Sequence, residues 1–133
     1  MEKDTILKIE NLYKDFNLEA GFFAKKEKTI YAVNNLSLLL KRGTTYGIVG
    51  ESGCGKTTTG RTILRLTEPT DGEAILNGKD IFKMSKKELQ KIRPEVQIIF
   101  QDPYSSLNPR KHIYEILSQP MLYHKISTED TIE

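Results

Sequence analysis

The chain has 133 residues, with 20 lysines and arginines against 18 aspartates and glutamates, a net charge of +2. That is about one domain's worth of sequence, and the near-balanced charge excludes a strongly basic nucleic-acid surface or an acidic tail. No apolar run approaches the roughly 20 residues that span a bilayer, the N-terminus opens no signal peptide, and a single cysteine, Cys54, excludes an internal disulfide, so an intracellular protein is expected.

Taken in order, residues 6–12 alternate loosely between apolar and polar and predict a strand that ends near Phe16. Residues 17–28 hold Gly21, Phe22, Phe23 and a charged run, and predict a loop or irregular excursion. Phe22 and Phe23 either tuck back onto the sheet or meet a partner or a membrane. Residues 29–33 and 36–40 predict two short strands, and Lys41, Arg42 and Gly43 a turn. Residues 45–49 predict a further short apolar strand.

The next residues, Gly50, Glu51, Ser52, Gly53, Cys54, Gly55, Lys56 and Thr57, match the phosphate-binding pattern G-x-x-x-x-G-K-[ST] at every fixed position. A strand before and a helix over residues 56–66 supply its required setting. Wrapping a triphosphate takes several donors pointing inward from a small loop. Gly50, Gly53 and Gly55 permit that loop, because glycine accepts positive φ and lets backbone N–H groups come close. The helix opening at Lys56 aims its positive end at the same place. Lys56 is then expected to reach the β and γ phosphates, Thr57 to ligate Mg²⁺, and Thr58 to add a phosphate contact. Cys54 is either a small residue tolerated in the loop or a reactive thiol whose alkylation blocks nucleotide binding.

In the helix after the loop, Ile63, Leu64 and Leu66 are expected to pack on the sheet, with Arg61 and Arg65 on the polar side, and Pro69 prevents continuation. Asp71-Gly72 and Asn77-Gly78 predict tight turns around a strand over residues 73–76. Ser85, Lys86, Lys87 and Glu88 form a capping-box pattern opening a helix that turns Leu89 and Ile92 inward, and Pro94 disfavours helix at Arg93. Residues 96–100 are nearly continuous apolar sequence and predict a parallel strand buried on both faces. Ligands bind beyond the carboxyl ends of such strands, so Gln101 is a candidate ligand for Mg²⁺ or for a water near the γ-phosphate. Ile113, Ile116, Leu117 and Met121 sit at helical spacing interrupted by Pro120, and residues 127–130 predict the start of another helix. His112 and His124 are expected at the surface.

These motifs together resemble the ATP-binding subunit of an ABC transporter, over nearly the whole chain. Residues 9–16 resemble the family's first strand and aromatic loop, which implies that Phe16 stacks on adenine. Gly50 to Thr58 resemble the Walker A loop, so Gly50, Glu51, Ser52, Gly53, Cys54, Gly55, Lys56, Thr57 and Thr58 are implied to bind ATP. The stretch Ile98 to Pro103 resembles the strand and Q-loop, whose glutamine, here Gln101, senses Mg²⁺ and the γ-phosphate. The loop sequence together with Gln101-Asp102-Pro103-Tyr104-Ser105-Ser106-Leu107-Asn108-Pro109-Arg110 is similar to bacterial oligopeptide and dipeptide importers.

The resemblance implies an α/β P-loop NTPase core with an added antiparallel β subdomain, truncated before most of a helical subdomain. Residues 1–133 would form the N-terminal part of one nucleotide-binding domain. Within it, 1–45 would be mainly β subdomain, 46–103 the core to the Q-loop, and 104–133 the Q-loop exit and start of the helical subdomain. It also implies membrane permease subunits docked near the Q-loop, a paired ATPase subunit, an indirect link to a peptide-binding protein, no nucleic acid, and a peripheral place on the cytoplasmic face of the membrane. The family's Leu-Ser-Gly-Gly-Gln signature, Walker B strand with its glutamate and switch histidine match nothing in these residues. The expectation is therefore that Lys56 and Gln101 serve catalysis in a complete subunit, whereas this stretch alone binds nucleotide without hydrolysing it and self-associates through unpaired apolar edges. The alternatives are a non-transport ABC-type ATPase and a non-catalytic nucleotide-binding or interaction module.

Overall fold

A computed structural model describes residues 4–18, 28–102 and 106–128. The chain divides into two compact units, Met1–Ser85 and Lys86–Glu133. Phe22 and Phe23 lie outside the described residues, as does most of the helix expected from residue 127 onward.

The first unit is built on an antiparallel sheet of four strands in the order β2-β1-β3-β4: β1 Thr5–Leu18, β2 Lys28–Lys41, β3 Asp71–Leu76 and β4 Lys79–Asp80. The two short strands expected over 29–33 and 36–40 are one continuous strand, because β1 offers a partner along its whole length, from Thr5 opposite Lys41 to Leu18 opposite Lys28. The polar interruption at Asn34 and Asn35 is absorbed by an irregular register and a left-handed Asn35 rather than by a chain break. Strand β1 is the centre of the unit. It pairs with β2 on one side and with β3 on the other, setting Ile9 between Leu38 and Ala74. Ile9, Leu12, Val33, Ala74, Leu76 and Ile81 are buried and make the core.

Of the two expected glycine turns only Asn77-Gly78 forms; Asp71 and Gly72 instead open β3, because β1 offers them a pairing partner with Asp71 opposite Tyr13. Asn77 and Gly78 take positive φ and close β3 onto β4, as a two-residue hairpin turn requires. Gly72 has φ 104 and lies so close to β1 that a Cβ there would meet the Asn11 carbonyl oxygen at 2.4 Å. Asn11 is itself left-handed, and its N–H donates to Ser37 Oγ at 2.9 Å, so β1 bulges where Gly72 approaches it.

Neither the short apolar strand expected over 45–49 nor the parallel strand expected over 96–100 is a strand. Val49 is 95% exposed and Ile99 91% exposed. A strand buried on both faces needs a hydrogen-bonded neighbour as well as apolar side chains. Among the described residues no ladder partner reaches either segment. Composition expresses which residues favour burial, but not whether a paired neighbour is present to bury them.

Helix α1, Lys56–Ile63, follows the glycine-rich loop and lies against β1 and β2. Its buried side chains are Thr59 and Thr62, while Leu66, expected to pack inward, is exposed. Thr62 is tolerated there because its hydroxyl donates to the Thr58 carbonyl at 2.8 Å.

In the second unit, helix α2 spans Lys86–Ile92, and a 3-10 turn over Arg93–Glu95 carries Pro94 at its start. Leu89 and Ile92 are only half-buried. Helix α3 spans Ile113–Tyr123. It opens where the Glu115 carboxylate accepts the His112 backbone N–H at 3.0 Å, and it continues through Pro120 rather than stopping there. The proline removes a donor, yet the helix past it closes with His124 N–H to the Pro120 carbonyl at 3.0 Å. His112 is exposed, and His124 packs edge-on against the Tyr123 ring. Among the described residues no helix is long and apolar enough to cross a membrane.

Candidate functional site

The glycine-rich loop sits directly on the sheet. Gly55 is the N-cap of α1 with φ 93, and a Cβ on it would lie 2.1 Å from the carbonyl oxygen of Ala32 in β2. No side chain fits, so the last glycine of the pattern is required by packing against β2 as much as by the loop's own turn. Gly53 is also left-handed, at φ 82, but faces open space. At the loop's start, a Cβ on Gly50 would fall 2.6 Å from Cys54 Sγ, so the loop is closed tightly across its mouth.

Lys56 holds that closure. Its Nζ donates to the carbonyl oxygens of Gly50 and Glu51, each at 2.7 Å, and lies 3.5 Å from Cys54 Sγ. The charge expected to meet phosphate therefore stands inside the loop, bonded to two of its carbonyls. Those bonds engage carbonyls only, and within the loop the Cys54 N–H donates to the Glu51 carbonyl at 3.3 Å. The first turn of α1 carries no acidic residue and its N-cap supplies no side-chain bond. Uncapped N–H groups at a helix start, with a lysine beside them and no acidic residue in the first turn, suit an anion. Thr57 is exposed and Thr58 half-buried on the opening turn, and Glu51 and Ser52 are exposed on the loop.

Phe16 stands near the end of β1 opposite Ile30, two residues along β2 from Ala32. With strands about 4.8 Å apart and a rise of about 3.3 Å per residue, Phe16 and the Ala32 seat of Gly55 are separated by about 8 Å. The Phe16 ring is 38% exposed, and Lys14 Nζ lies 4.7 Å from its centroid. The end of β1 is fixed by residue 70: Thr70 N–H donates to the Tyr13 carbonyl and Asp15 N–H to Thr70 Oγ1, both at 2.9 Å.

The structure thus brings the whole phosphate loop and Phe16 together in one unit. Gln101 belongs to the second unit, where it is exposed at the end of the 96–100 segment. Three contributors escaped sequence reading. The Ala32 carbonyl is a backbone group within an ordinary strand and leaves no signal. Lys14 two residues before Phe16 is a legible i, i+2 pair on a strand. Arg65, expected on a solvent face, has a side chain only 16% exposed, and its helix-end position was the available clue.

A model of the ABC transporter family matches residues 33–132. The chain belongs to the ABC transporter family. It is 44% identical over 127 residues to the oligopeptide transport ATP-binding protein AppF of Bacillus subtilis, covering 95% of this chain and 39% of that protein. It is 42% identical over 133 residues to the oligopeptide transport ATP-binding protein OppF of Salmonella typhimurium, covering 97% of this chain and 40% of that one. A glutathione import ATP-binding protein, GsiA of Salmonella paratyphi A, is 42% identical over 130 residues, covering 98% of this chain and 21% of its own length. The chain therefore spans about two fifths or less of these relatives. Among solved structures, the dimeric post-hydrolysis state of the ATP-binding cassette MJ0796 bound to ADP and Pi is similar at a TM-score of 0.71. Its identity is 29%, over 92% of this chain and 49% of that one. The structure of cbiO1 from Clostridium perfringens, part of an ABC transporter complex, is similar at 0.69 and 28% identity, over 98% and 47% of the respective chains. The antiparallel sheet and loop-to-helix unit are thus those of an ABC cassette, an α/β P-loop fold represented here in part.

Proposed function

We propose that these residues form the nucleotide-binding stretch of an ATP-binding subunit that couples ATP binding and hydrolysis to peptide import. The observation that carries this reading is the loop itself: an uncapped, acid-free helix start seated on β2 at Gly55, with Lys56 inside the loop. Its likeness to the oligopeptide transport proteins AppF and OppF supports the choice of peptide as cargo.

In this reading the backbone N–H groups from Gly50 to Thr58 cradle the phosphates. Lys56 exchanges the Gly50 and Glu51 carbonyls for β and γ phosphate oxygens, a trade of one charge-assisted bond for a stronger one. The Thr57 hydroxyl would hold Mg²⁺, an ion that takes few protein ligands. The metal, when bound, neutralises charge developing between the phosphates. Gln101 would serve as a ligand for Mg²⁺ or for a water near the γ-phosphate, and Phe16 would stack on the base. The separation of about 8 Å between Phe16 and the Gly55 seat suits a nucleotide, whose base lies well removed from its outer phosphates. Among the described residues no group of three or more His, Cys, Asp or Glu could hold a metal by itself. Hydrolysis requires metal-binding acids as well as a water-orienting group, and in this reading the stretch alone is still expected to bind nucleotide without turning it over. The partition into a β subdomain over 1–45, a core over 46–103 and a Q-loop exit over 104–133 belongs to the same reading. So do docking of permease subunits around Gln101, pairing with a second ATPase, an indirect link to a peptide-binding protein, and attachment at the cytoplasmic face of the membrane.

Uptake of a labelled oligopeptide by cells whose own gene carries Lys56→Ala tests this. Loss of uptake with the protein still made at normal abundance is expected; undiminished uptake refutes peptide import.

A further inference from the structure

Arg65 follows the last residue of the α1 cap, Leu64, and has φ 50. Helix ends of this kind usually place glycine there, because a side chain in the left-handed region is strained. The backbone makes the matching pair of bonds: Leu66 N–H to the Arg61 carbonyl and Arg65 N–H to the Thr62 carbonyl, both 2.8 Å. Glycine would close this helix without strain, so the arginine is explained by what its side chain holds.

It holds a great deal. Nε donates to both carboxylate oxygens of Glu68, at 3.2 and 2.8 Å, and Nη1 donates to the carbonyls of Ile81, at 3.2 Å, and Met84, at 2.5 Å. Charge-assisted bonds from a guanidinium are the strong kind, and partial burial strengthens them further. Ile81 and Met84 bracket the 3-10 turn Ile81–Lys83, directly before the chain passes into the second unit at Lys86. At the opposite end of α1, about 12 Å away along two turns of helix, are Gly55 and Lys56 of the loop.

We propose that Arg65 is a positioning residue that locks the far end of α1 to the 81–84 segment, so that ligand binding at the loop is transmitted to the stretch leading into the second unit. The proposal rests on the nucleotide reading of the loop. Helix α1 is only eight residues long, and the Arg65 and Leu66 N–H bonds tie Arg65 to its last turn, so a shift or a stiffening at Gly55 has a short bonded path to Arg65, and the clamp passes it to two backbone carbonyls.

Hydrogen exchange read by mass spectrometry, with and without Mg-ATP, tests it on the 133-residue protein. In the parent, Mg-ATP slows exchange over 50–58, and exchange over 81–84 slows with it by about fivefold, the lower end of ordinary coupling between sites. Arg65→Gly keeps the slowing over the loop and loses it over 81–84, with relief of the left-handed strain opposing the loss of the guanidinium bonds in its melting temperature. If 50–58 are not slowed in the parent, the nucleotide reading fails and takes this proposal with it. If 50–58 slow but 81–84 do not, or if Arg65→Gly still passes the slowing on, the transmitting role is overturned while the nucleotide reading stands. Should Arg65→Gly fail to fold, Arg65→Lys decides, since a single ammonium cannot serve Glu68 and both carbonyls at once. Slowing lost over 81–84 in that variant upholds the clamp, and slowing retained there overturns it.

Discussion

Replacing Gly55 by alanine separates a seat on the sheet from a mere bend in the loop. The added Cβ would stand 2.1 Å from the Ala32 carbonyl oxygen and 3.3 Å from its carbon, so reaching ordinary contact, about 3.4 Å, means lifting the loop by more than an ångström. Alanine at φ 93 costs about 1–3 kcal/mol in backbone strain. Overpacking against an immovable backbone carbonyl adds about 1–3 kcal/mol. Gly53→Ala isolates the first cost, because its φ is 82 and nothing lies within 4 Å of its Cβ position. The two variants should therefore differ by about 1–3 kcal/mol, which is roughly fivefold to 150-fold in ATP affinity or a matching shift in the urea midpoint. Titration with a fluorescent ATP analogue, paired with urea denaturation of each variant, reads both quantities. Equal behaviour of Gly55→Ala and Gly53→Ala would refute the claim that β2 positions the loop.

Phe16→Ala should weaken binding of the ATP analogue by about 0.5–1.5 kcal/mol and leave binding of inorganic triphosphate unchanged, since a stacking platform acts on the base alone. Equal loss for both ligands would remove Phe16 from the base site. Gly72→Ala should destabilise the first unit by several kcal/mol, of the order of about 2–5, because its Cβ would sit 2.4 Å from the Asn11 carbonyl oxygen; a urea midpoint equal to the parent's would contradict the packing described. Alkylation of exposed Cys54, whose Sγ lies across the loop from Gly50, should abolish ATP binding, and saturating Mg-ATP should slow the labelling. Labelling indifferent to Mg-ATP would place the thiol outside the ligand's footprint. Finally, the exposed apolar residues Ile48, Val49 and Ile99 should drive self-association. Light scattering should report assemblies that shrink on Val49→Lys, and a monodisperse parent would count against this.

Legibility in the sequence followed the range of the interactions concerned. The phosphate loop, the Asn77-Gly78 turn and the start of β1 were readable because local rules fix them: glycine spacing, turn residues and alternation. The 45–49 and 96–100 segments read as strands and are not, since pairing is a property of two segments and the described residues supply only one side. The merger of 29–33 and 36–40 into β2 has the same origin with the opposite sign, a long partner carrying pairing across two asparagines. In α1 the apolar residues suggested the buried face, whereas Thr59 and Thr62 occupy it, because the helix is aimed by Gly55 against β2 rather than by its own hydrophobic pattern. Arg65 was misread for a related reason: a cation in a last turn is ordinarily a solvated partner of the helix dipole, and only tertiary structure brings Ile81 and Met84 to it.

Nucleotide binding by the loop from Gly50 to Thr58 is proposed to depend on Lys56. Calorimetric titration of the 133-residue protein with Mg-ATP tests it most directly, run beside Lys56→Ala and a check that both share one urea midpoint. Saturable binding in the parent, weakened at least tenfold in Lys56→Ala, about 1.4 kcal/mol or more, is the predicted result. Equal affinity in the two proteins, or no binding by a folded parent, would contradict it.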